Sequence, residues 1–156
     1  MKGSKKVIEA LNDVLGGELV GINQYFLHSK MCKNWGFERL AEHDYKESIG
    51  EMKHASDLTE RILFLEGVPN LQKLGKLSIG ETVPEQLRLA AQLEEKAVGL
   101  LHAAISGAEA AADPATALML REMLLGEEAQ LDWIEAQMGL IDRVGEANYL
   151  SQKINK

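Results

Sequence analysis

Cysteine, proline and positive charge are all scarce in this chain. A single cysteine, Cys32, occurs in 156 residues. It excludes an internal disulfide framework, and no Cys-x-x-Cys pair is present for zinc or dithiol chemistry. Three prolines leave room for long helices, because proline breaks a helix interior. Lys and Arg number 17 against 24 Asp and Glu, a net charge of −7. That balance disfavours nucleic acid and anionic membranes as partners, since both are bound through basic surfaces. It suits a protein that handles cations. No run approaches the roughly 18 apolar residues of a membrane span. Glu9, Asn12 and Asp13 interrupt the apolar stretch after Lys6, so it does not read as a signal peptide. With the lone thiol, these absences predict a cytoplasmic protein. The length fits one domain over 1–156.

What is present is helical periodicity. Val7, Ile8, Leu11, Leu15, Leu19, Ile22, Phe26 and Leu27 recur at three- and four-residue steps, predicting a first helix over about 4–33 with Ser4 as N-cap. A turn at Asn34-Trp35-Gly36 leads to a second helix over about 38–65, stopped by Gly67-Val68-Pro69. Thr82, Pro84 and Glu85 form a cap, a first-turn proline and a capping box for a third helix over about 83–112. Asp113-Pro114 repeats the cap-plus-proline device for a fourth over about 114–142, and a short fifth is expected over 146–153. Between the second and third helices, Gly67–Glu81 lacks a helical period and is too long for a simple turn. Two helical hairpins joined by one long crossover make an all-α, ferritin-like four-helix bundle. The alternative is an up-down-up-down bundle with an unusually long loop.

Acidic residues fall where these helices should be apolar. Glu18 lies among Leu15, Leu19 and Ile22, and Glu94 between Leu93 and Val98. Glu51 and His54 form a Glu-x-x-His step, Glu127 and Gln130 a Glu-x-x-Gln step. Glu18 and Glu51 are 33 positions apart, as are Glu94 and Glu127, and adding 76 carries 18, 51 and 54 onto 94, 127 and 130. Glycine precedes both Glu51 and Glu127. This is an internal repeat of one hairpin. It has the ligand pattern of di-iron carboxylate bundles, one Glu from each of two helices and Glu-x-x-His from each of the others.

The residue types fit that chemistry. Residues i and i+3 share a helix face, so Glu51 and His54 can reach one ion. Four carboxylates balance two ferrous ions, and imidazole suits iron as a terminal ligand. Any one of these glutamates alone would be read as an exposed helix residue. Four at matched spacing reverse that reading, because unpaired buried charge is costly. Gln130 breaks the pattern, replacing an imidazole by a weak ligand or a non-ligand. The position built on Glu18, Glu51, His54 and Glu127 is therefore expected to be intact, and the one relying on Glu94 and Gln130 impaired. Tyr25, two turns beyond Glu18, and Trp133, one turn beyond Gln130, are candidate electron donors to a metal pair, or simply packed aromatics. His28, His43 and His102 are expected to be ordinary helix residues away from the cluster.

Nearly the whole chain resembles bacterioferritin. The resemblance rests on Asn23-Gln24-Tyr25-Phe26-Leu27-His28, Glu51-Met52-Lys53-His54-Ala55, Glu60 through Gly67, Pro69-Asn70-Leu71-Gln72, Gly75-Lys76-Leu77, Ile79-Gly80-Glu81 and Asn148-Tyr149-Leu150. It implies a 24-subunit cage that stores iron as a ferric mineral, with a ferroxidase centre on Glu18, Glu51, His54, Glu94, Glu127 and position 130. It also implies haem b between paired subunits, its iron held by Met52, and an iron–sulfur ferredoxin as electron donor for iron release. Met52 lies about 100° around the helix from Glu51, facing away from the metal cluster, where it can meet its copy across a two-fold axis. Members often carry His and Asp at the positions of Lys46 and Gly50, an inner-surface iron site that these residues do not supply. Three departures with Met52 retained imply a haem-carrying subunit with a weak centre of its own, co-assembled with a ferroxidase-competent second subunit. The alternatives are an active ferroxidase in a homopolymeric cage and a di-iron enzyme of the rubrerythrin or oxygenase type, the latter disfavoured by the missing Cys cluster.

Overall fold

A computed structural model describes residues 1–155. Among them it is all-helical, with α1 Lys5–Trp35, α2 Glu38–Phe64, α3 Val83–Ala110, α4 Pro114–Val144 and α5 Glu146–Ser151. Local sequence explains most helix ends. Gly36 closes α1 in the left-handed region at φ 92°, where glycine costs nothing. Thr82 caps α3 by accepting from the Glu85 amide, and Asp113 caps α4 by accepting from the Thr116 amide. Arg61 of α2 also binds Asp113 and Thr116, tying the start of α4 to the end of α2. Ser4 sits at the α1 N-cap but makes no side-chain cap bond. The expected Gly67 stop works differently from a glycine cap. Glu66 takes the left-handed φ of 64°, and Gly67 is needed because a Cβ there would lie 2.7 Å from Ile8 Cγ2.

Contacts between helices fix their directions. Ser29 binds the Ala41 carbonyl and Ser48 that of Ile22, so α1 and α2 are antiparallel. Tyr25 meets Glu94 and Cys32 meets Gln86, so α1 and α3 are antiparallel as well. Consequently α2 and α3 run the same way, and the chain must return along the bundle between them. An α2 of 27 residues is about 40 Å long, a distance that residues 65–82 span in extended form. This excludes the up-down-up-down alternative and gives the crossover its physical reason. The crossover is anchored as it passes: Asn12 binds Val68 and Asn70, and the Gly80 amide donates to His28 Nε2 at 3.0 Å.

The core is in two apolar blocks. One gathers Leu11, Leu15, Leu58, Ile62, Leu101 and Leu120. The other gathers Leu40, Val83, Leu87, Ile134 and Tyr149, with α5 secured by the Tyr149 hydroxyl on Gln137. Between them, at one level on all four long helices, lie Glu18, Glu51, Glu94 and Glu127, all buried.

Candidate metal centre

The four glutamates converge as the matched spacings require. Ligand atoms of Glu18, Glu51, His54 and Glu127 all lie within 4.8 Å of one another, a group able to hold a metal ion. His54 Nδ1 is 3.2 Å from Glu127 Oε1 and 3.5 Å from Glu18 Oε2. Room for Glu51 comes from Gly21 on α1, where a Cβ would stand 2.8 Å from Glu51 Oε2. Ser48, one turn before Glu51, holds α1 and α2 together at this level.

Burial dominates the electrostatics. It pushes the Glu18 carboxyl up to about 8 and Glu94 to about 11, and raises Glu51 well above the usual range. Burial also acts upward on Glu127, but its neighbours, His54 first among them, outweigh it and hold this carboxyl at about 2. His54 is lowered by burial and raised more by Glu127 and Glu51, with a net upward shift. The metal-free cluster therefore keeps protons in place of cations. Two carboxylate oxygens, Glu18 Oε2 and Glu94 Oε2, are buried without a hydrogen-bond partner among the described residues. A cation supplies what such oxygens lack, and a carboxylate–imidazole donor set suits iron.

The second half of the cluster is arranged differently. Glu94 Oε1 accepts from the Tyr25 hydroxyl at 2.6 Å. Gln130 Nε2 donates to the same hydroxyl at 3.1 Å, and Gln130 Oε1 lies 2.9 Å from His43 Nε2. Because that oxygen can only accept, His43 carries its proton on Nε2. The chain of donors then runs His43 to Gln130 to Tyr25 to Glu94. Glu94 stands outside the group of carboxylates and imidazole able to hold a metal. Trp133 stacks on His43, with ring centroids 3.5 Å apart.

His43 corrects the expectation that it lies away from the cluster. Its signal was available, since 11 residues before His54 is three turns, within about 20° of the same face. Glu47 and Asp44 were also missed. Burial raises their carboxyls to about 7 and about 8, with the Glu127 charge adding to the first and the Glu47 charge to the second. Their signal was position on the same α2 turn as His43. His28 and His102 do lie away from the cluster: His28 accepts from the Gly80 amide of the crossover and His102 is exposed. Met52 is 57% exposed on the outer side of α2.

A bundle whose second and third helices are parallel, built around a buried carboxylate–imidazole layer, defines a ferritin-like protein, and the model of the ferritin-like domain family matches residues 8–144. Within that class the chain belongs to the bacterioferritin family. It is 41% identical to Bacterioferritin BfrA of Mycobacterium tuberculosis over 156 residues, covering 100% of this chain and 98% of that protein. Identity to the Bacterioferritin of Streptomyces coelicolor is 40%, covering 100% and 93% of the two chains. Identity to that of Brucella melitensis is 40% over 149 residues, covering 96% and 92%.

Proposed function

We propose that this chain is a cytoplasmic bacterioferritin subunit that stores and detoxifies iron, with ferrous iron as the substrate of an asymmetric ferroxidase centre. The observation that carries this reading is the division of the cluster. Glu18, Glu51, His54 and Glu127 converge on one position, while Glu94 and Gln130 are engaged by Tyr25 and His43. Rapid dioxygen reduction draws one electron from each of two adjacent ferrous ions. A centre with one tight and one loose position is half-filled at low iron and oxidises slowly. Tyr25, whose hydroxyl is hydrogen-bonded to Glu94, is the candidate electron donor to the site.

Assembly into a 24-subunit cage is supported by the apolar side chains left exposed, among them Phe26, Ile49, Met52, Leu63 and Phe64, which need a partner surface. Met52 would hold haem b: its thioether is a ligand type that haem iron accepts, and it is exposed on the outer side of α2, where a second copy could meet it across a two-fold axis. When bound, haem supplies one-electron transfer between the outside and the stored mineral, with an iron–sulfur ferredoxin as donor. A second, ferroxidase-competent subunit in the same cage accounts for a chain that keeps Met52 but lacks imidazole at 130.

The test is stopped-flow absorbance after adding ferrous iron, under air, to homopolymeric wild-type and Gln130→His cages. The substitution should raise the initial oxidation rate by about tenfold or more, since outer-shell changes alone cost metal sites roughly 10–100-fold. A fast wild-type phase of two irons per chain, unchanged in Gln130→His, would sink the asymmetric-centre reading.

A further inference from the structure

A second concavity lies apart from the metal layer, bounded by α1, α3 and the crossover. It encloses about 500 Å³, within the range of small-molecule sites. Its floor is Gly16 and Gly17, in the middle of α1. Glycine in a helix interior weakens it relative to alanine, so adjacent glycines call for a reason. At Gly21 the reason is steric, as Glu51 occupies the space. No such reason applies at the other two: a Cβ on Gly16 would come no nearer than 3.9 Å to Lys73 O, and one on Gly17 no nearer than 3.6 Å to Leu100 Cδ1. What their missing side chains leave is the cavity itself.

The walls specify the contents. Val20, Leu93 and Leu100 present apolar surface. Lys73 and Lys76 from the crossover and Lys96 from α3 also line it, with Asp13 as the one carboxylate. Among the described residues none of these lysines is held in a salt bridge. Three cations against one anion is a local reversal of the chain's acidic balance. Gln24, 2% exposed, lines the same cavity. Its Oε1 accepts from the Ser78 amide at 3.4 Å, while its Nε2 donor is buried with no partner.

We infer that this cavity, formed by the Gly16–Gly17 floor, the apolar walls and the three lysines, binds a small organic anion with an apolar body, of the aromatic carboxylate or sulfonate class. The apolar body rests on the glycine floor and leucine walls, and the anionic head faces the lysines.

Naphthalene-2-sulfonate titrated calorimetrically into the assembled protein tests this. One saturable site per chain is expected. Lys96→Glu, at an exposed position that folding does not need, should weaken binding about tenfold, the worth of a charged hydrogen bond. Gly16→Leu should fill the cavity and abolish binding without lowering Tm. The cation 2-naphthylmethylammonium should not compete. Absence of saturable binding at millimolar probe, affinity unchanged in both variants, or equal competition by the cation would each overturn the inference.

Discussion

Single atoms decide what the metal layer can do. Gly21 is the clearest case, because its missing Cβ is the space that Glu51 occupies. Gly21→Ala would ordinarily stabilise a helix by up to about 1 kcal/mol. Here the new methyl would stand 2.8 Å from Glu51 Oε2 and displace the carboxylate. Titration with Co²⁺ should show metal affinity lowered by about 10-fold or more, with the helical circular dichroism retained. Wild-type affinity in Gly21→Ala would mean that Glu51 is not a ligand or finds another route to the ion. Gln130 acts by what it joins. An amide at this position accepts from His43 and donates to Tyr25, so its oxygen and its nitrogen are both engaged on the side of the second position.

At the scale of the element, α2 separates a buried carboxylate–imidazole face from an exposed methionine by helical phase. Glu51 and His54 face inward, while Met52, about 100° from Glu51, is 57% exposed. Met52→Ala should therefore abolish the haem absorption bands of the purified protein and leave its helical content unchanged. Haem retained at full stoichiometry would assign its ligation to another residue. Much of this element-level order was legible in the chain. The 33-residue spacing and the 76-residue shift located the four glutamates, and capping residues located the starts of α3 and α4. Less legible was anything set by packing between elements. Periodicity does not show that Tyr25 reaches Glu94 rather than packing freely, nor that Glu66, not Gly67, takes the left-handed turn after α2. His43 shares a face with His54, but only the approach of α4 makes that face meet Gln130.

Across the whole molecule, the metal layer is an acidic stratum between two apolar blocks, and its protonation couples to stability. Burial raises Glu18 to about 8, Glu47 to about 7 and Asp44 to about 8, against unfolded values near 4. The native state holds protons that the unfolded chain has released, so stability falls as pH rises between those limits. His54, raised, acts in the same direction: its stabilisation is full below the unfolded value and is lost as pH rises through the folded one. His28, lowered to about 4 by burial, and His43, also lowered by burial, act oppositely, but their contribution is complete above the ordinary histidine value of 6.5. Glu127, at about 2, is ionised throughout. Between pH 6.5 and 8 the raised groups thus act unopposed, and the Tm of chelator-treated protein should be lower at the upper pH. Loading with Co²⁺ should flatten the dependence, because the cation takes the place of the protons. A metal-free Tm that rises across this interval would contradict the protonated layer.

The asymmetry of the centre is tested most directly by counting metal positions at equilibrium. Chelator-treated wild type should take up Co²⁺ in one tight step per chain followed by a much weaker one, and Gln130→His should convert this to two tight steps. Two tight steps in the wild type, or a Gln130→His variant that still shows one, would contradict the account.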